Sequence, residues 1–403
     1  MSMVSLTLDD VCELIVDCEH KTAPTQETGY PSIRTPNIGK GRLLLDDVNR
    51  VSEETYRLWT QRAIPKAGDL ILAREAPVGN VAIIPGNLDV CLGQRTVLIR
   101  PNTVKVNNSY LVYLLLSDEI RGRLLSRSNG STVGHLNMKE IRNLELPELP
   151  LLSTQERIAD ILSNYDRLID NNTRRITLLE ESIHRLYKEW FVYLRFPEWE
   201  KVAIVEGVPE GWELKKVKDF GTVTTGKTPS TKIPEHFGGS VPFIKTPDMH
   251  GNIFVISTED SLTEMGANSQ QKQYISAKAI MVACIGAKSG VVSLSSRTAQ
   301  TNQQINSLIP NLEIFCYYCY YVLRELRTHL RAIGSNGATM INVNKNKFEN
   351  MPVVLPLESL LKQFHQQASS VFEQILTLQI QNQKLREARD LLLSRLMNGS
   401  IAV

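Results

Sequence analysis

Cysteine is scarce, with six in 403 residues, scattered at positions 12, 18, 91, 284, 316 and 319. So few and so dispersed, they exclude the disulfide framework of small secreted domains, and reduced thiols are expected. No apolar run reaches the ~18–20 residues that a membrane helix needs. The first ten residues hold two acids and no base. They do not read as a signal peptide, so the expected location is the cytoplasm. An excess of one charge is lacking too: 45 Lys and Arg stand against 43 Asp and Glu, a net charge of +2. The strongly basic balance of a small nucleic-acid-binding module is therefore absent, and any such footprint must be a local groove. Residues 1–150 carry 17 bases and 18 acids, net −1; residues 207–356 carry 15 and 11, net +4.

Catalytic signatures are equally thin. The sequence holds no H-E-x-x-H, no G-x-S-x-G and no G-x-G-x-x-G. There is no Pro-Pro pair, so the [DNS]-P-P-[YFW] loop that holds a flipped base in amino-methyltransferases is missing. No D/E-x-K follows Pro247-Asp248, which leaves a nuclease carboxylate cluster unsupported. Gly221 to Thr228 does spell G-x-x-x-x-G-K-[ST]. A phosphate loop also needs a buried strand before it and a helix after it. Pro229, Pro234 and Gly238-Gly239 follow instead, so a turn that aims Lys227 and Thr228 is expected. Cys316-x-x-Cys319 lies alone in an aromatic run, Phe315 to Tyr321, and reads as core rather than zinc; Cys18 and His20 form a similarly lone pair. These residues predict no enzyme active site, no metal and no cofactor.

What the sequence does have is itself, twice. Pro31-Ser-Ile-Arg-Thr-Pro36 returns as Pro242-Phe-Ile-Lys-Thr-Pro247, and the same shift of 211 takes Gly79 to Gly290. Lys21-Thr22 matches Lys227-Thr228, Gly93-Gln94-Arg95 matches Asn302-Gln303-Gln304, and Gly130-Ser131-Thr132 matches Gly337-Ala338-Thr339. Several matches in one order over about 130 residues argue against chance. Each copy ends in a long helical pattern, from about Leu152 to Phe191 and from about Ser359 to Asn398. The first apolar seam reads Ile158, Ile161, Tyr165, Leu168, Asn172, Ile176, Leu179, Ile183, Leu186, Trp190. The second reads Phe364, Ala368, Val371, Ile375, Leu378, Asn382, Leu385, Ala388, Leu392, Leu396. Three-four spacing over five heptads predicts a coiled coil, and with two such helices the simplest partner of each is the other. Between them, short β runs such as Asp69–Ala73, Thr96–Ile99 and Ala279–Ala283, with shorter helices at Ser109–Leu125 and Ile314–Ile333, predict compact α+β domains. The expected order is a first domain at 1–150, a helix at 151–194, a linker at 195–211, a second domain at 212–356, and a second helix with a tail at 357–403.

This paired arrangement resembles the type I restriction-modification specificity subunits over essentially the whole chain. The residues that carry the likeness are the Lys-Thr loops, the P-x-I-[RK]-T-P segments, the Gly-[SA]-Thr loops and the proline-containing lead-in ending Thr154-Gln155-Glu156-Arg157-Ile158. The second lead-in departs from the pattern, reading Leu361-Lys362-Gln363-Phe364. The resemblance implies two similar α/β target-recognition domains separated by two long helices that form an antiparallel coiled coil, an internal pseudo-two-fold repeat. It implies a non-catalytic, double-stranded-DNA-binding subunit, each domain reading half of a bipartite site. It also implies DNA adenine methyltransferase (modification) subunits as partners, optionally joined by a restriction/translocase subunit. Candidate DNA contacts in the repeated loops are Lys21, Arg34, Thr35, Arg74 and Arg95, then Lys227, Lys245, Thr246, Lys288, Gln303 and Gln304. From residues alone, an NTP-using enzyme built on Gly221–Thr228 and a protein-binding coiled-coil adaptor stay open.

Overall fold

The computed structural model describes residues 6–126, 134–286, 289–335 and 341–403. The chain divides into two units: Met1–Ile169 with Leu385–Val403, and Asp170–Lys384. Each unit holds one globular domain and a stretch of both long helices.

The first domain contains strands β1 (Cys12–Asp17), β2 (Tyr30–Ile33), β3 (Gly41–Arg42), β4 (Arg50–Val51), β5 (Leu70–Ala73), β6 (Val81–Ile83), β7 (Cys91–Leu92) and β8 (Thr96–Pro101). They form one sheet in the order β1-β8-β5-β6-β3 and a smaller one in the order β4-β2-β7. Helices α1 (Glu53–Trp59), α2 (Asn108–Leu116), α3 (Asp118–Ser126) and α4 (Met138–Arg142) complete it. In the second unit a hairpin, β9 (Ile204–Val205) with β10 (Val208–Pro209), precedes β11 (Glu213–Lys216). Then follow β12 (Gly221–Thr225), β13 (Phe237–Ile244), β14 (Phe254–Val255), β15 (Asp260–Leu262), β16 (Ile280–Ala283), β17 (Val292–Ser295), β18 (Gln300–Thr301) and β19 (Ile305–Pro310). Strand β20 (Pro352–Leu355) closes the domain against β11. The sheet orders are β12-β19-β16-β17-β14 and β15-β13-β18, which repeat the first domain strand for strand.

Side-chain alternation explains why the central strands are buried on both faces. Leu70 and Leu72 of β5 enter the core that holds α2 and the first long helix, whereas Ile71 and Ala73 enter the core that holds Ile33, Ile38 and Val90. In β16, Ile280 and Val282 join the helix-side core and Met281 the other. The helices predicted at Ser109–Leu125 and Ile314–Ile333 are each broken in two. Ser117, in extended conformation, separates α2 from α3. Leu326 separates α8 (Cys316–Glu325) from α9 (Arg327–Ser335). The short helices α6 (Thr246–Met249), α7 (Glu264–Asn268) and α10 (Lys345–Glu349) complete the second domain.

The long helices are α5 (Leu152–Tyr187) and α11 (Glu358–Met397). In the first unit Asp166 bonds Arg389, and Ile158 and Leu162 share a core with Leu392 and Leu396. In the second unit Asn382 donates to Thr173, and Tyr187 packs on Phe364 at 6.4 Å. Rising numbers on α5 meet falling numbers on α11 in each unit, so the pairing is antiparallel. The second seam is as expected from sequence, with Phe372 added as a fully buried neighbour of Val371. The first seam corrects the reading in its N-terminal half. Leu168 is exposed, while Ile169 and Leu162 are buried. The steps from Ile158 through Leu162, Tyr165, Ile169, Asn172, Ile176, Leu179 and Ile183 then alternate four and three without a break. A doubled step of four falls at Ile183 to Tyr187, beside the wide π-type turn Lys188–Val192. Both seam asparagines, Asn172 and Asn382, are buried. Among the described residues no helix is long and apolar enough to cross a membrane.

Candidate nucleic-acid interface

Backbone hydrogen bonds bring the repeated motifs together within each domain, although each bond joins residues 58 or more apart in sequence. In the second domain Asn302 N–H donates to Ile244 O (3.0 Å), Lys227 N–H to Thr301 O (2.9 Å) and Gly226 N–H to Ile305 O (3.0 Å). The loop after β12, the Lys245-Thr246 segment after β13 and the Asn302–Gln304 segment after β18 thus form one surface. Gly226 is required by this approach, because a Cβ there would lie 2.1 Å from Asn302 O. Side chains knit the same three segments. Thr228 donates to Gln303 Oε1 (2.7 Å) and Thr246 to Gln304 Oε1 (3.1 Å). Lys227 and Gln303 are exposed; Lys245 pairs with Asp260. Beneath them lie amides and hydroxyls: Gln270 Nε2 donates to Lys227 O and to Gln300 Oε1 (2.7 Å each), and Thr225 donates to Asn306 (2.7 Å).

The first domain repeats the backbone and changes the chemistry. Gly93 N–H donates to Ile33 O (2.7 Å), as Asn302 does to Ile244, and a Cβ on Gly93 would lie 2.5 Å from Arg34 Cγ. Cys18 N–H donates to Thr96 O (3.1 Å), in the place of Gly226 to Ile305. By that register Asp17 stands where Thr225 stands, and Lys21 follows two residues later in its loop than Lys227 does. Lys21, Arg34 and Arg95 are exposed, whereas Thr35, like Thr246, is buried. Arg74 is buried: its Nε donates to Leu136 O (2.8 Å) and its Nη2 to His135 Nε2 (3.0 Å). Its counterpart is Cys284, since Arg74 N–H bonds Arg95 O as Cys284 N–H bonds Gln304 O. Around Arg74 runs an ion network. Arg62 bonds Asp17 (2.5 Å) and lies 3.3 Å from Glu19; His20 lies 3.1 Å from Asp17; Arg95 Nε bonds Glu75 (2.9 Å); His135 Nδ1 faces Glu75 at 3.1 Å.

Of the predicted site residues, Lys21, Arg34, Thr35 and Arg95 meet on one surface, and Lys227, Lys245, Thr246, Gln303 and Gln304 on the other. Lys288 and both Gly-[SA]-Thr loops lie outside the described residues. The residues that sequence reasoning missed are Asp17, Arg62, Glu75 and His135 in the first domain and Thr225, Gln270, Gln300 and Asn306 in the second. No local motif announces them; only the repeat register, which pairs Asp17 with Thr225, could have. Such surfaces can do two things. Exposed Lys and Arg neutralise phosphate, and Arg or Gln side chains read base edges. The G-x-x-x-x-G-K-[ST] match does not cradle a phosphate: Gly221–Thr225 is strand β12, and the N–H groups of Gly226 and Lys227 are spent on β19 and β18. Cys316 and Cys319 lie in the buried aromatic helix α8. Burial pushes the Cys316 thiol up to about 12 and the Cys319 thiol well above its ordinary value, which disfavours the thiolate a metal needs.

The sequence pattern of the type I restriction modification DNA specificity domain matches residues 2–181 and again residues 209–388. The chain is 31% identical to the type I restriction enzyme HindI specificity subunit of Haemophilus influenzae, over 92% of this chain and 95% of that one. It is 26% identical to the MjaIX specificity subunit of Methanocaldococcus jannaschii, over 88% and 82%. Its fold is similar to the crystal structure of the type I restriction-modification S subunit from M. genitalium, with a TM-score of 0.61 and 15% identity over 98% and 95% of the two chains.

Proposed function

The chain belongs to the type I restriction-modification DNA specificity family, and from that premise we propose that it reads a bipartite double-stranded DNA site with one domain per half. The observation that carries this reading is the repeated surface, where three motifs remote in sequence meet on the same strands in both units. The first recognition domain comprises residues 1–150 and the second residues 212–356. In them Lys21, Arg34, Lys227, Lys245 and Lys288 supply phosphate contacts. Arg95, Gln303 and Gln304 face base edges, and Thr35 and Thr246 brace the loops. Arg74 acts from the interior as a brace, through His135 and Leu136. The long helices set the unread gap and dock DNA adenine methyltransferase (modification) subunits, with a restriction/translocase subunit as an optional further partner. The subunit supplies placement and no bond chemistry, and it works in the cytoplasm, where the DNA is. The test is to sequence the methylome of cells carrying the system. A split motif of two short half-sites around a gap of fixed length is expected. A continuous motif, or methyl transfer by the purified chain alone, contradicts the reading.

A further inference from the structure

We infer that Arg95 is a guanine reader aimed in advance, and that Glu75 is the positioning residue that aims it. This deepens the DNA-reading function just proposed and rests on it. Arg95 has φ +67, the left-handed region that side chains seldom occupy; Gln304, its counterpart, is not among the positive-φ residues. Strain of this kind persists where the surroundings over-determine it, and it gathers at functional sites. Here the surroundings do so on both sides: Gly93 N–H is fixed on Ile33 O, and Arg95 O accepts from Arg74 N–H (2.9 Å).

The side chain is 62% exposed, yet it is held at one atom, Nε, by Glu75 Oε2 at 2.9 Å. Glu75 cannot drift, because its other oxygen, Oε1, meets His135 Nδ1 at 3.1 Å. The direction of that bond follows from its neighbour. Arg74 can only donate, so His135 Nε2 accepts from it at 3.0 Å, and Nδ1 carries the proton that goes to Glu75. Arg74 is in turn buried and tied to Leu136 O. A relay runs from the interior to the surface, Arg74 to His135 to Glu75, and Arg95 closes it from outside. With Nε taken, the terminal edge of the guanidinium is left to face outward, and its two nitrogens match the O6 and N7 acceptors of guanine. Phosphate is the poorer partner. Glu75 sits against the guanidinium and repels an anion, and the cluster as a whole balances Asp17, Glu19 and Glu75 with Arg62, Arg74 and Arg95.

The experiment uses the assembled methyltransferase and a library of randomised duplexes, with methylation read by sequencing. The wild type is expected to require guanine at one position of one half-site. Arg95→Gly suits the backbone at φ +67, so its assembly should melt no lower than the wild type. It should lose preference at that position alone, by about 5- to 150-fold. Arg95→Lys, which keeps the charge without the fork, should show the same loss. Glu75→Ala should weaken the same position and no other. Placing 7-deazaguanine there removes N7; it should cost the wild type affinity and cost Arg95→Gly nothing further. The inference is overturned if that half-site holds no guanine, if Arg95→Gly keeps the preference, or if 7-deazaguanine costs both proteins equally. A library with no split motif would overturn the bipartite reading itself, and this inference with it.

Discussion

The two domains share the eight strands of their two main sheets and differ in what holds their surfaces. In the first, charges do so: Asp17, Arg62, Arg74, Glu75 and Arg95, with His135 bridging Arg74 and Glu75. In the second, neutral amides and hydroxyls stand at matching places, with Thr225 for Asp17 and Gln304 for Arg95. The same exchange appears where each domain meets its helix. Tyr113 donates to Asp166, which also accepts from Arg389, in the first unit; in the second, Tyr317 stacks on Phe372 at 4.3 Å and Tyr320 meets it edge-on at 5.4 Å. Asp166 and Phe372 each lie eight residues beyond the matched seam residues Ile158 and Phe364. At the lead-in, buried Gln155 accepts from Asn107 N–H and donates to Pro150 O, whereas Leu361 fills the same place with apolar contact alone. The lesson is physical: backbone pairing and alternating burial specify the fold, and they leave the chemistry at each position open.

That comparison can be broken on purpose. Phe372→Ala removes a fully buried ring from the second unit and should cost about 3–5 kcal/mol. Denaturation of the full chain, followed separately by amide exchange in α8 and in α2, should show loss in α8 only. Equal loss in both would mean that the two interfaces are not independent. A smaller effect is expected from the polar side. Asp166→Ala leaves the Tyr113 hydroxyl and the Arg389 guanidinium without their shared acceptor, at about 1–3 kcal/mol. Here α2 should be the helix that loses protection. No change there would show that the Tyr113–Asp166–Arg389 contact is ornamental.

How much of this was legible follows from range. The repeat, the central strands and both long helices rest on local periodicity, and they are found as read. The error at Leu168 has the same origin, because Leu168 and Ile169 are adjacent and apolar, so spacing alone cannot choose between them. The doubled step that this choice required at Asn172 was the only sign. The breaks at Ser117 and Leu326 carry no sequence signal, since the apolar pattern runs through them. Site chemistry was half visible. Exposed loop residues such as Arg95 and Gln303 stand in repeated motifs. Glu75 and His135 are 60 residues apart and become partners only when the chain closes on itself.

The central claim, that two independent readers share one fold, is tested most directly by exchanging residues 1–150 for those of another specificity subunit and sequencing the methylated sites. The account predicts that one half-site changes while the other half and the gap length stay as they were. A change in both halves would contradict it.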